Sequence, residues 1–383
     1  MAVAEVLRVS LDVSAVPANP VGAGQYTLEL ARELDRRDDV DLVVVSRRDD
    51  GARWRSTAPR AGLVAVAPRR RPPRLVWEQT GLPHRLRSLG VDVHHAPHYT
   101  MPEHTRVPSV VTVHDLSFFE APEWHQRSKV LLFRRAITVA TRRAGALVVP
   151  SRATAEELAR WCTVAAPVVV AHHGVDLDRF GPAEPSPGAD AATLAAVDPR
   201  LADGSPYLLF VGTLEPRKDV PTLVRAFAAV AGRRPEARLV LAGGAGWGAE
   251  AVGRAVEASG VGDRVVRTGY VPDGAVPALL RGAVAAVYPA LYEGFGLPAL
   301  EALACGTPLV TTTGSAMEEV AGTAAVLVAP GDVGSLAGAL EAALEGRGTD
   351  PARRRQGLAV AAGHTWAASA ARHLEAYRLA AGG

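Results

Sequence analysis

Cysteine is scarce in this 383-residue chain: Cys162 and Cys305 are the two present, far apart and with no CxxC or His-rich spacing beside either. That pattern excludes a disulfide-stapled fold and a cysteine-based zinc site, and it suits a reducing compartment. Long hydrophobic runs are missing too. No uncharged apolar stretch approaches the roughly 18 residues needed to span a bilayer, so no span is expected. The N-terminal MAVAEVLRVSLD lacks a basic region followed by an apolar one, and no secretory signal is expected. These absences predict a cytoplasmic protein. Aromatic residues make up 5% of the chain, and the basic residues come without aromatics interleaved on strands, which argues against nucleic-acid binding.

What is present describes an ordinary globular protein, 48% hydrophobic and 21% charged. Its length exceeds what one core usually serves, so two domains are the default expectation. The net charge of +2 is unevenly placed: residues 1–182 carry +5 and the remainder −3. RRRPPR (Arg69 to Arg74) and the segment from Lys129 to Arg143, with Arg134, Arg135, Arg142 and Arg143, supply much of the surplus. A solvated surface is the plain reading of that patch. The sharper one is peripheral contact with anionic lipid on the inner face of the plasma membrane.

LRVSLDV, AGQYTLELARELDRR and DLVVVS read as strand, helix and strand, and VPSVVTVHD, ALVVPS and PVVVAHHG continue the series. Continuous apolar runs indicate strands covered on both faces, as in a parallel, doubly wound α/β sheet. Residues 183–206 turn to Pro, Gly, Ala and Asp and read as a linker, after which the alternation restarts at YLLFVGT. The expected organisation is therefore a first Rossmann-like domain over 1–182, the linker, a second over 207–363 and a closing helix over 364–383.

In open parallel sheets, ligands bind beyond the carboxyl ends of the strands. Four such segments stand out. In VPANPVGAGQY, Gly22 and Gly24 let backbone approach a ligand at a helix N-terminus, although the dinucleotide GxGxxG spacing is not met. VVTVHDL ends a strand in His114-Asp115, a cleft position for a titratable ring. His94, His95, His98, His172 and His173 are less well placed, no metal-ligand spacing gathers them, and no metal is expected.

The third segment, FVGTLEPRKDV, passes through Gly212-Thr213 to Arg217-Lys218. That adjacent pair suits a diphosphate, a salt bridge to Glu215 or Asp219 being the plain alternative. In the fourth, AAVYPALYEGFGLPALE, the strand AAVYPALY leads to a turn whose amides, Gly294, Phe295, Gly296 and Leu297, open a helix with Pro298 at its first position. Glu293 lies on the turn and Glu301 one turn into the helix, where the dipole favours a carboxylate. Two carboxylates flanking amide donors suit a ligand with phosphate and polyol parts, such as a nucleotide sugar.

Taken together, Glu293 and Glu301 in E-x7-E, GTLEPRKD, His114-Asp115, HHGVDLDRF and GAGQY resemble the retaining glycosyltransferases of family four, nearly throughout the chain. WEQTGLP, DVHHAPHYTMP and HDLSFFEAPEWH are most similar to the bacterial mannosyltransferase and rhamnosyltransferase-like branch. The resemblance implies the GT-B fold, two Rossmann-like domains facing across a cleft, with the donor mainly on the second and the acceptor mainly on the first. It implies transfer of a hexose, with GDP-mannose as preferred donor, to a glycan, lipid-linked or small-molecule acceptor, with retention and with no cofactor beyond the nucleotide sugar. Arg217 and Lys218 would hold the diphosphate and stabilise the leaving group. Glu301 would bond the ribose, and Glu293 the sugar hydroxyls. Gly212 and Thr213 would line the donor site, and Gly294 to Leu297 would reach sugar and phosphate. His114 would touch the transferred sugar, Gly22 and Gly24 the diphosphate, and the base would lie around Gly269 to Pro272, Val271 included. Asp219, where many relatives carry Asn, is expected to cap the next helix. An epimerase or hydrolase on the same fold and a non-catalytic binding subunit are the rival readings.

Overall fold

The structure, a computed structural model, describes residues 6–183, 185–346 and 350–382, and divides into two compact units. The first holds the chain up to Gly174 and again from Trp366; the second holds Val175–Thr365.

In the first unit, β1 (Leu7–Asp12), α1 (Ala23–Arg36), β2 (Val40–Arg47), α2 (Gly51–Thr57), β3 (Gly62–Ala67), α3 (Arg71–Leu89) and β4 (Val93–Ala96) form one half. The other half is β5 (Ser109–Thr112), α4 (Ser117–Glu120), α5 (Arg127–Arg143), β6 (Ala146–Val149), α6 (Arg152–Trp161) and β7 (Val168–Val170). The strands form a parallel sheet in the order β3-β2-β1-β4-β5-β6-β7. Strands β4, β5 and β6 are buried throughout, as continuous apolar runs between covering helices require. Local signals end and begin the helices. Gly90 stops α3 in the left-handed conformation at φ 59°, and Ser151 starts α6 by accepting from Thr154 N at 3.0 Å.

The second unit begins with α7 (Ala189–Val197), then β8 (Tyr207–Val211), α8 (Val220–Ala231), β9 (Arg238–Ala242), α9 (Ala249–Ala258), β10 (Val265–Gly269) and α10 (Val276–Gly282). It continues through β11 (Ala285–Tyr288), α11 (Leu297–Ala304), β12 (Leu309–Thr312), α12 (Ala316–Ala321), β13 (Ala325–Val328), α13 (Val333–Leu344) and α14 (Pro351–Gly363). The parallel sheet runs β10-β9-β8-β11-β12-β13. On α8, Leu223, Val224, Phe227, Val230 and Ala231 fall on one face and all are buried, the helical stripe that covers a sheet.

Two expectations are corrected, and the expected closing helix finds its place. Residues 183–206 are not a linker among their described members: Leu194 of α7 and Leu201 join the second unit's core, and Arg281 clamps Asp190 with two bonds of 2.6 Å. Alanine, read there as a low-hydrophobicity spacer, is the best helix former, and two leucines suffice to anchor so short a segment. The second unit also starts earlier than expected: Val175 N donates to His364 O at 2.9 Å, and Phe180 is in the core. The closing helix, α15 (Trp366–Ala381), belongs to the first unit, where it packs against α1, β6 and β7.

Each sheet reverses its strand order once, between β1 and β4 and between β8 and β11. A crevice beyond the carboxyl ends of those two strands is where an open α/β sheet receives a ligand. The expected donor residues of the second unit follow β8 and β11.

Candidate active site

The chain leaves β8 through Gly212 and crosses Gly243, which follows β9. A Cβ on Gly212 would lie 2.6 Å from Lys218 Nζ, and one on Gly243 would collide with the Gly212 carbonyl. Glycine at both positions lets the two turns touch. Gly212 N then donates to Ala242 O at 2.8 Å and Leu214 N to Gly244 O at 3.1 Å, while the Thr213 methyl closes against Gly246.

Arg217 joins this turn to the one after β11. Its Nε donates to Glu215 Oε2 at 2.8 Å, its Nη1 pairs with Glu293 Oε2 at 2.5 Å, and its carbonyl accepts from Leu291 N at 2.8 Å. The plain alternative, a bridge to Glu215, is thus realised, together with a second bridge that crosses between the two loops. Lys218 lies 6.0 Å above the Phe210 ring; burial pushes its ammonium down, and Glu293 pulls it back up. Asp219 makes no capping bond with its side chain. It holds a left-handed φ of 44°, a conformation that Asn and Asp adopt more readily than most residues.

β11 stops at Tyr288, shorter than the expected AAVYPALY, because Pro289 has no N–H for the ladder. Gly296, at φ 91°, precedes α11, so Pro298 is its second residue rather than its first. Phe295 and Val271 are core residues, so what those positions can offer a ligand is backbone. Glu301, one turn into α11, is pushed up to about 7 by burial, with Arg179 opposing and Asp273 reinforcing the shift. Arg179 is placed by a 2.7 Å bond from Nη2 to Asp273 O. The sequence had offered HHGVDLDRF as a motif without a role for this arginine. The hydroxyl of Tyr288 is buried and has no hydrogen-bond partner among the described residues.

The remaining expected residues lie in the first unit. Gly22 sits at φ 51° directly before α1, with open space where a Cβ would stand, whereas Gly24 packs against Pro20. His114 is buried after β5, and its Nε2 lies 2.7 Å from Pro97 O. A carbonyl only accepts, so Nε2 carries the proton and Nδ1 of the neutral ring is an acceptor. Burial pushes this imidazole down, which keeps it neutral near pH 7. His95, His173 and His373 join an aromatic cluster around Tyr26. Tyr26 Oη is 2.6 Å from His373 Nε2 and 2.9 Å from Thr112 Oγ1, Thr112 Oγ1 is 2.8 Å from His95 Nε2, and His173 and His114 stand against the Tyr26 ring. No group of three His, Cys, Asp or Glu among the described residues could hold a metal ion.

Two family descriptions match this chain in succession. "Glycosyltransferase Family 4" matches residues 20–179 and "Glycosyl transferases group 1" matches residues 195–359. The chain thus carries a family 4 glycosyltransferase domain followed by a group 1 glycosyltransferase domain. It is 28% identical over 378 residues to O-antigen chain mannosyltransferase B of Escherichia coli, covering 94% of this chain and 96% of that protein. Among solved structures, sucrose-phosphate synthase from Thermosynechococcus elongatus matches with a TM-score of 0.76 at 21% identity, over 97% of this chain and 98% of that one. HepE of Anabaena in complex with UDP-glucose matches with a TM-score of 0.76 at 19% identity, over 96% and 99%. The two parallel-sheet units of this glycosyltransferase are those of the GT-B fold. The resemblance read from its motifs holds, and so does its identification as an enzyme.

Proposed function

We propose that this glycosyltransferase moves a hexose, preferentially mannose from GDP-mannose, to an acceptor hydroxyl with retention of anomeric configuration. The observation that carries the proposal is the Arg217–Glu293 pair, which fixes a cation for the diphosphate and a carboxylate for sugar hydroxyls in one construction. The mannosyltransferase relative supports the sugar, and the UDP-glucose complex of HepE supports a nucleotide sugar as co-substrate.

In this reading the bond from the anomeric carbon to the diphosphate oxygen breaks while the bond to the acceptor oxygen forms on the same face. The acceptor proton passes to the departing phosphate. Arg217 and Lys218 stabilise the charge that gathers on that phosphate, the task a metal ion performs in other enzymes. Glu293 orients the sugar, Glu301 accepts from the ribose hydroxyls, and neutral His114 offers Nδ1 as an acceptor to the transferred sugar. No step uses a bound cofactor.

Peripheral contact with anionic lipid is proposed for the face of α5. Leu131 is 73% exposed there. Arg134 is taken by the Phe118 carbonyl and Arg135 by Glu103, and Arg142 and Arg143 are the cations of its last turn. Sedimentation with phosphatidylserine vesicles at low salt is the expected result, and recovery of all the protein in the supernatant ends this part of the proposal. No helix among the described residues is long and apolar enough to cross a membrane.

Incubation with GDP-α-mannose and methyl α-mannoside tests the reaction itself. An α-linked disaccharide, read by NMR, is expected. A β-linked product contradicts retention, and product from UDP-glucose but not from GDP-mannose contradicts the donor.

A further inference from the structure

The second sheet has a cavity at the end that the mechanism above leaves unused. Ala283 stands just before β11, Thr307 and Pro308 just before β12 and Ala324 just before β13, and all four line a cavity of about 300 Å³. In a parallel sheet those positions share the amino end, opposite the carboxyl end where the donor segments leave β8 and β11. A volume of roughly 300 Å³ is enough for a small organic molecule.

Helix α14 closes the cavity, and two glycines let it come close. A Cβ on Gly357 would stand 2.9 Å from Leu303 Cδ2 of α11, and one on Gly306, at φ 71°, would stand 2.7 Å from Arg354 Nε. The helix therefore lies against the carboxyl end of α11 and brings Arg353 and Arg354 to the cavity. A helix carboxyl end attracts cations, and arginines bonded to its last carbonyls would need no other explanation. Those carbonyls are already taken: Glu301 O, Ala302 O and Leu303 O accept from Cys305 N, Thr307 N and Gly306 N at 3.1, 3.0 and 3.0 Å. Among the described residues neither guanidinium has a hydrogen bond or an ion pair.

Charge around the cavity is one-sided. Arg281 also lines it, but Asp190 of α7 accepts from its Nε and Nη2, both at 2.6 Å, and Gly181 O from its Nη1 at 3.2 Å. No carboxylate lines the cavity among the described residues. Asp350 caps α14, accepting from Ala352 N at 2.9 Å. Burial pushes the Cys305 thiol up to about 12, so this lining group adds no negative charge. Arg353 and Arg354 are left as two unpaired cations beside an apolar wall of Pro182, Leu303 and Pro308.

We propose that this cavity is a second ligand site of the enzyme, built for a phosphate monoester with an apolar body. The phosphate lies between Arg353 and Arg354, and the body packs against Leu303 and Pro308. A monoester carries about −1.5 to −2 near pH 7, which matches two unpaired positive charges, and the guanidinium fork fits its oxygens bidentately. Lying at the opposite end of the sheet from the donor turn, the site is separate from the reaction and does not depend on which sugar is transferred.

Phenyl phosphate, inorganic phosphate and benzyl alcohol, titrated calorimetrically into the full chain, test the assignment. Phenyl phosphate is expected to bind at least tenfold more tightly than either of the others. Arg353→Gln and Arg354→Gln keep a good helix former on a solvent-facing helix, and each is expected to weaken that binding about tenfold, as loss of one charge-assisted hydrogen bond does. Arg217→Ala is expected to leave it unchanged. The reverse pattern puts the phosphate on the donor turn and overturns the proposal, as does binding that none of the three variants moves. Equal affinity for inorganic phosphate removes the apolar body, equal affinity for benzyl alcohol removes the anion, and absence of phenyl phosphate binding removes the site; each overturns the proposal. Crystals soaked with phenyl phosphate locate the ligand without any substitution: density beside Arg353 and Arg354 is expected, and density only elsewhere contradicts the site.

Discussion

Gly296 tolerates no side chain for two separate reasons. Its φ of 91° is strained for any residue with a Cβ, and the Cβ itself would overlap Met317 Cγ. Gly296→Ala is therefore expected to cost about 3 kcal/mol or more of stability and to disorder the turn that carries Glu293. Gly22→Ala is the control for the contact alone: its φ of 51° with ψ of −114° is also disfavoured for a residue with a Cβ, but the space is open, so backbone strain of about 1–3 kcal/mol is its whole cost. Equal losses in chemical denaturation contradict this difference. Glu301 makes a pH-dependent prediction. Burial raises its carboxyl to about 7 from the ordinary 4.5, so the folded state holds a proton that the unfolded state has lost between those values. That contribution is fully present below pH 4.5 and disappears as pH rises through 7. Glu301→Gln, which carries no such charge, should be more stable than the parent at pH 8 by an amount on the order of 3 kcal/mol at most and match it at about pH 4. A difference that is the same at both pH values refutes the shift.

At the scale of elements, α15 decides whether the first unit is complete. Trp366, Leu374, Ala376, Tyr377 and Ala380 are buried on it, Tyr377 Oη meets His95 Nδ1 at 2.8 Å, and Gly145 exists because a Cβ there would stand 2.8 Å from Ala380 Cβ. Tyr377→Phe is expected to cost about 1–3 kcal/mol by stranding the buried imidazole, and Gly145→Val more, by pushing the helix away. Two-state denaturation curves within 0.5 kcal/mol of the parent contradict both. These contacts also show what the sequence could and could not say. The parallel strands, the glycine turns and the Arg217-Lys218 and Glu293/Glu301 motifs are short-range patterns and could be read directly. That Arg217 would bridge to Glu293, or that His95 would meet Tyr377, is fixed by tertiary packing across long separations, and periodicity carries no trace of it. Helix α7 escaped because alanine supplies helix propensity without hydrophobic contrast.

For the molecule as a whole, the histidines set the response to acid. Burial pushes His94 and His98 down to about 3 and His373 to about 4, and also lowers His95, His114 and His173. In each case the unfolded chain takes up a proton near 6.5 that the folded one refuses, so stability falls as pH drops below that value. Glu78, Glu301 and Asp12, raised by burial, act in the opposite sense, but they are fewer. Each uncompensated histidine is worth up to about 1.4 kcal/mol per pH unit, so the melting temperature should fall steeply between pH 6.5 and 5. A flat profile over that range contradicts the packing of the cluster.

The central claim concerns the second unit: Arg217, Lys218, Glu293 and Glu301 hold a nucleoside diphosphate. The most direct measurement is thermal melting of the full chain with GDP, UDP, ADP, dTDP and NAD in turn, for the parent and for Arg217→Ala. A ligand at 100 times its dissociation constant adds about 2.7 kcal/mol, well within detection. A clear upward shift with one nucleoside diphosphate, GDP, largely lost in Arg217→Ala, is the predicted result. A shift with NAD, or with none of the five, contradicts it.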